Sequence, residues 1–377
     1  MRPARAGERR CHRAGERRPP RVSRLLPRAE VPDLVGAGSE VAVEPARMNP
    51  VRGTARQRAL ARAVSGASWL ACRMPEAPLV AMAEFAGSIW YRLDRERAAQ
   101  GRRNLHRVTG WLAEHGSGPE PARGAATDPD ALERLLGQAF RHQARYYLEV
   151  ARTPGMTPET LARQLVVDTP DVVDEAFAGG GPVIFVGLHF GAIELPALYL
   201  ASRAAQPPTA PMETIDDPPL QDYFIRSRGS VGLRIVGLRE ARRQLLDALR
   251  RGESVGLVAD RDLTGGGIET KFFGAPAPLP AGPALLALET GARVYVVSVR
   301  RVGRRRYRGR LERVPLPEGD GLSRRERVTA FLAAEAAAFE RAIAMAPEQW
   351  WGAFFPVWPD LEKGSVRGES RREDGEE

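Results

Sequence analysis

A chain of 377 residues, 43% apolar and 7% aromatic, is long enough for one or two domains with a sizeable core. Its two cysteines, Cys11 and Cys72, exclude a disulfide framework or a cysteine metal cluster and fit a reducing compartment. The formal charge of +9 is carried almost wholly by arginine, but the first 47 residues hold 11 arginines against 6 acids, so the remainder is mildly basic and no nucleic-acid partner is expected.

Residues 1–47 repeat the hexamer RAGERR at 5–10 and 13–18 and show little apolar periodicity. They read as a disordered or misassigned extension ahead of a start at Met48, and they contain no apolar signal-peptide core. Helical pattern fills 48–178, with pieces near 55–74, 78–96, 97–114, 129–152 and 170–178 and a Gly/Pro-rich loop at 115–128. No segment offers about 18 uninterrupted apolar residues, so a spanning helix is not expected. Residues 59–74 and 78–93 are rich in Ala, Leu and Val, carry Trp69, Phe85, Trp90 and Tyr91, and are flanked by Arg56, Arg58, Arg73 and Arg92. Such segments suit helices lying on an anionic membrane and equally a helical hairpin packed on the domain; the two readings are compatible.

From 179 to 361 the pattern alternates. Strands are expected at 183–188, 233–236, 254–259, 271–273, 293–300 and 306–314, and helices at 192–203, 218–229, 239–251, 281–291 and 324–346. That alternation predicts an α/β fold: a largely parallel central sheet flanked by helices and preceded by an N-terminal helical layer. The polar stretch 362–377 reads as a disordered tail.

The segment 183–194, VIFVGLHFGAIE, is a run of strand formers ending on His189, with Gly191 turning into a helix that begins near Glu194. His189 therefore sits at the C-terminal mouth of a strand, where open α/β sheets place ligands. Glu194, in the first helical turn, is expected to reach back and orient the imidazole of a general base. Spacing alone carries little, and His115 with Glu120 repeats it in a Gly/Ser/Pro loop with no strand before it.

Other candidates lie further along. Asp260 and Asp262 follow the strand at 254–259, placed to contact His189 or a substrate hydroxyl; the alternative is a structural pairing with Arg261. Arg228, on the helix at 218–229, suits an anionic head group, and Glu213 suits sugar hydroxyls, although either can be a solvated surface charge. Gly282, in LPAGP at 279–283, opens a helix whose free amides can hold a phosphate or simply start the helix. Seven arginines in RRVGRRRYRGR, 300–310, face either anionic lipid or solvent. The aromatics Trp350, Trp351, Phe354, Phe355 and Trp358 read first as core. Histidine spacing indicates no metal site.

Four segments in order resemble the lysophospholipid acyltransferase superfamily, in its branch of lipid A late acyltransferases and phosphatidylinositol mannoside acyltransferases. They are HFGAIE at 189–194; Met212–Glu213 with YFIRSRG at 223–229; VADRDL at 258–263 with FFG at 272–274 and LPAGP at 279–283; and PEQW at 347–350 with PVW at 356–358. The resemblance spans residues 50–361, and its ADRDL and QW…PVW forms favour the mannoside side. It implies an α/β acyltransferase domain over 48–361, peripheral on the cytoplasmic side of the cell membrane. Such an enzyme moves a long acyl chain from acyl-CoA to a glycolipid hydroxyl, preferably a mannose, with His189 as base and no cofactor beyond the co-substrate. Glu194 stands where the family motif often has aspartate. A lipid A-type or lysophospholipid acceptor, and a non-catalytic lipid-binding protein on the same fold, are the alternatives.

Overall fold

The computed structural model describes residues 53–263, 265–317 and 321–362. The expected extension at 1–47 and, apart from Glu362, the expected tail lie outside the described residues.

The N-terminal layer is helical. Helix α1 (Ala55–Arg73) starts from a capping box in which the Thr54 hydroxyl accepts from the Gln57 amide. α2 (Glu76–Leu93), α3 (Arg95–Glu114), the short α4 (Glu120–Gly124) and α5 (Pro129–Arg152) follow. α2 packs along α5, while α1 lies against α5 and α9. α3 and α5 contribute Leu105, Val108, Leu112, Leu136 and Phe140 to the main core. α1 and α2 instead leave Trp69, Leu70, Met82, Phe85 and Leu93 more than half exposed. No described helix is long and apolar enough to cross a membrane.

A short helix α6 (Pro158–Gln164) and strand β1 (Leu165–Val167) lead to α7 (Pro170–Ala178), and then the alternation begins. It runs β2 (Val183–Gly187), α8 (Glu194–Arg203), β3 (Thr209–Met212), α9 (Pro218–Gly229), β4 (Arg234–Gly237), α10 (Ala241–Arg250) and β5 (Ser254–Val258). A hairpin, β6 (Ile268–Phe272) and β7 (Ala275–Leu279), precedes α11 (Gly282–Thr290). β8 (Arg293–Arg301), β9 (Tyr307–Val314) and α12 (Arg324–Ala344) complete the regular elements. The main sheet has the order β1-β9-β8-β2-β5-β3-β4 and is parallel throughout except at the β8–β9 hairpin. β2 lies inside the sheet with all five residues buried, as its unbroken apolar run requires.

The expected α/β architecture with a helical layer is present. Five elements, α4, α6, β1, β3 and β7, were not among the expected ones, and the expected strand at 271–273 is half of a hairpin. β6 and β7 are joined through Phe273 (φ 45°) and Gly274 (φ 79°), the left-handed pair of a tight hairpin turn. The partner strand Ala-Pro-Ala-Pro-Leu carries two prolines and so lacks strand propensity.

α12 packs one face into the core, and Glu335 sits on that face with no solvent exposure and no hydrogen-bond partner in the structure. Burial holds its carboxyl well above the usual glutamate value of 4.5. The folded protein keeps this proton while the unfolded chain releases it, so stability must decline as pH rises past the unfolded value. Glu335→Gln removes that proton linkage: its urea midpoint should fall less than that of the wild type between about pH 5 and pH 8. Parallel midpoint-against-pH curves for the two proteins would contradict a buried neutral Glu335.

Candidate active site

β2 and β5 pair in parallel with a constant offset, Val183 opposite Ser254 and Gly187 opposite Val258. The Ala259 amide extends the ladder to the Gly187 carbonyl (3.1 Å). Continued for two more residues, the same 71-residue offset sets His189 opposite Asp260, and there the two side chains meet. His189 Nδ1 lies 2.6 Å from Asp260 Oδ1, while Asp260 Oδ2 accepts the His189 backbone N–H (3.0 Å) and the Trp350 indole N–H (2.9 Å). Asp260 is fully buried. Burial opposes its ionisation, but electrostatic attraction to the His189 ring and these hydrogen bonds outweigh burial and keep its carboxyl below the ordinary value. An ionised carboxylate only accepts, so Nδ1 carries the ring proton and Nε2 is left as the basic nitrogen.

The turn after His189 is tightly specified. Gly191 has φ 54°, and a Cβ there would fall 1.9 Å from the Val299 carbonyl oxygen. Its N–H donates to the Gln349 carbonyl (2.9 Å), and its own carbonyl accepts from Arg301 Nη2 (3.0 Å). Arg301 is buried against Glu149 of α5, with Nε to Oε1 at 2.7 Å. The 347–355 segment lies across this turn: Phe190 bridges Trp350, and the Gly352 amide donates to the His189 carbonyl (3.1 Å). Asn104 of α3 anchors the same segment by donating to the carbonyls of Ala353 and Phe355, both at 2.8 Å.

Glu194, expected to orient the imidazole, does something else. It opens α8 and accepts from Arg228 of α9, Nη2 to Oε1 at 2.7 Å and Nε to Oε2 at 3.3 Å. The physical reason is burial: Glu194 is 7% exposed, and a carboxylate there needs a cation. Arg228, expected to face an anionic head group, is correspondingly committed to Glu194, and Nη1 also meets Met212 Sδ (2.8 Å). Burial would lower the Arg228 pKa, but Glu194 and the Tyr146 hydroxyl more than offset this and raise it. Tyr146 stacks on Trp351 (4.5 Å, 24°), and Trp351 meets the His189 ring edge to face (4.6 Å, 80°). Aromatic contacts thus connect the Glu194–Arg228 pair to the His189–Asp260 pair.

The two acids after β5 part company. Asp260 faces the ring, whereas Asp262 accepts the amides of Gly265 (3.1 Å) and Gly267 (2.7 Å) and shapes the following loop. Arg261 pairs not with Asp260 but with Glu213 (3.5 Å), and its guanidinium lies 3.9 Å over the Phe355 ring. Glu213 is exposed and within reach of a solute. Gly282 is the exposed first residue of α11, and among the described residues no hydrogen bond links it to His189 or Asp260. Five of the seven arginines of the hairpin are paired: Arg300 and Arg308 with Asp168, Arg301 with Glu149, Arg305 with Glu76 and Arg310 with Glu312.

The sequence reading placed Trp350 and Trp351 in the core and did not single out Tyr146. The first two are buried and also touch the site, and only the spatial neighbourhood distinguishes them from other core aromatics.

The model for bacterial lipid A biosynthesis acyltransferases matches residues 54–352, and the chain belongs to that family. It is 36% identical over 194 residues to a phosphatidylinositol mannoside acyltransferase of Mycobacterium tuberculosis (strain CDC 1551 / Oshkosh), covering 48% of this chain and 61% of that protein. The corresponding protein of strain H37Rv matches at 35% identity over the same coverage, so the matched region spans 61% of the length of these two relatives. A protein of the same name from Mycolicibacterium smegmatis is 32% identical over 237 residues, 61% of this chain and 72% of that protein.

Replacing Asp260 by Ala strands two backbone or side-chain N–H donors and an imidazole in a buried site. We expect Asp260→Ala to lose about 3–5 kcal/mol of stability by urea denaturation. A loss below about 1 kcal/mol would mean that water already serves these donors.

Proposed function

We propose that the protein is a peripheral membrane O-acyltransferase. It transfers a long acyl chain from acyl-CoA to a glycolipid hydroxyl, most fittingly a mannose of a phosphatidylinositol mannoside. The observation that carries this reading is the 2.6 Å contact of His189 Nδ1 with a buried carboxylate, which leaves Nε2 basic on a ring still 13% exposed.

In this mechanism Nε2 takes the proton of the acceptor hydroxyl as its oxygen attacks the thioester carbonyl. Asp260 holds the tautomer and stabilises the imidazolium. When the tetrahedral adduct collapses, the C–S bond breaks and the imidazolium returns its proton to the departing thiolate. The ester stays on the acceptor. No acyl-enzyme is invoked and no cofactor beyond acyl-CoA is called for. Glu194 acts at one remove, fixing α9 against the start of α8 through Arg228. Glu213 and Arg261 offer a carboxylate and a guanidinium to sugar hydroxyls or to a phosphate. The phosphatidylinositol mannoside acceptor rests on the names of the mycobacterial relatives. The exposed apolar face of α1 and α2 supports docking on the cytoplasmic leaflet of the cell membrane.

Radiolabelled palmitoyl-CoA offered with phosphatidylinositol mannosides, lipid A precursors and lysophospholipids in parallel tests the reading. Wild type should label the mannoside, and His189→Ala and Asp260→Asn should each lower the rate by about 10²–10⁴-fold. Label on a lysophospholipid alone would overturn the acceptor, and undiminished transfer by His189→Ala would overturn the base. Membrane docking is read separately: Phe85→Asp with Leu93→Asp should weaken sedimentation with anionic vesicles, and unchanged sedimentation would remove α2 from the interface.

A further inference from the structure

A cavity of about 650 Å³ opens between α1, the turn at 153–155 and α9, in the size range of small-molecule sites. Its wall is mixed. Ser68, Trp69 and Arg73 come from α1, and Tyr223, Arg226 and Ser227 come from one face of α9. Two guanidiniums are therefore on the wall, and no acidic residue lines it. Arg73 lies over the Trp69 ring at 3.8 Å, and Arg226 keeps Asp222 one turn earlier as a partner. Tyr223 is 92% buried by its 8% exposure, yet its hydroxyl has no hydrogen-bond partner. A buried hydroxyl left unpaired is costly, but this one has almost no accessible surface, so the ring of Tyr223 and not its hydroxyl forms part of the wall.

The geometry points to this cavity as a binding site for an anionic phospholipid, distinct from the His189 centre. The phosphate sits between Arg73 and Arg226, where guanidinium groups give charge-assisted hydrogen bonds. The glycerol and first acyl carbons lie along Trp69 and the neutral wall. A bare phosphate satisfies the two cations but leaves that wall uncovered, so an amphiphile fits the whole cavity better. The rim belongs to α1, whose Trp69 and Leu70 are 57% and 52% exposed, so a lipid can enter from the apolar side. α9 carries Arg228 on a neighbouring face, one residue beyond Ser227, so an occupant of the cavity rests on the helix that holds Glu194.

The test uses the full chain and monomeric dihexanoyl phosphatidylglycerol, titrated calorimetrically below its micelle threshold so that adsorption to a bilayer is not read. Dihexanoyl phosphatidylcholine and inorganic phosphate are titrated alongside. The expected result is saturable binding of one phosphatidylglycerol, at least about tenfold tighter than either comparator. Arg73→Gln with Arg226→Gln should weaken it by about tenfold or more, and Ser227→Trp should fill the space and abolish it. Equal affinity for inorganic phosphate would replace the lipid by a free anion. Equal affinity for phosphatidylcholine, binding unchanged in the double variant, or absence of saturable binding would each overturn the site. None of these readings requires acyl transfer.

Discussion

Asp260 is a carboxylate cut off from solvent, and hydrogen bonds from His189 and Trp350 take the place of its water. Because the donors come from two segments far apart in sequence, one side chain ties the mouth of β2 to the C-terminal wrap. That wrap can lie so close only because residue 352 is glycine: a Cβ there would come within 2.5 Å of the Trp350 indole nitrogen and 2.8 Å of Asp260 Oδ2. The same closeness dries the His189 ring, which strengthens its interaction with the carboxylate and aims its second nitrogen outward. Orientation of the His189 ring, placement of the 347–355 segment and shape of the turn are thus one construction.

Charge is handled locally throughout. The buried guanidiniums near the site each find a carboxylate: Arg228 with Glu194 and Arg301 with Glu149. Both pairs span separate elements, so they fix the distance between helices and sheet as well as cancelling charge. Five of the seven arginines at 300–310, conspicuous in the sequence, pair with Asp168, Glu149, Glu76 and Glu312. A net positive charge therefore says little about where positive potential is available; the apolar face of α1 and α2 is the more telling surface.

The architecture was legible where local pattern decides it. The apolar run at 183–188, the glycine turn and the helix behind it gave His189 its place, and the alternation gave the parallel sheet. The partner of His189 was legible only in part: Asp260, at the end of a strand, was one of the acids expected to reach it and does, but the sequence ranked Glu194 first. Five residues of separation made Glu194 the obvious candidate, yet Asp260 stands 71 residues away and is brought in by strand pairing. Which strands are neighbours is a property of the sheet and not of either segment alone. Likewise β7 was hidden by its prolines, and α4 by a loop-like composition at 115–128. Tyr146 shows the same limit from the other side, being one aromatic among several on α5 until stacking on Trp351 sets it apart.

The parallel register between β2 and β5 also determines what kinds of change in length the chain can absorb. The residues between the two strands form α8, β3, α9, β4 and α10, and their loops can lengthen or shorten without altering which residues face each other past the strand ends. A single residue inserted within β5 is another matter. It would shift the pairing by one, offering Ala259 in place of Asp260 opposite His189 and turning the carboxylate to the other face of the sheet. Diversity in this region should accordingly accumulate as loop insertions, with the five paired positions of each strand constant in number.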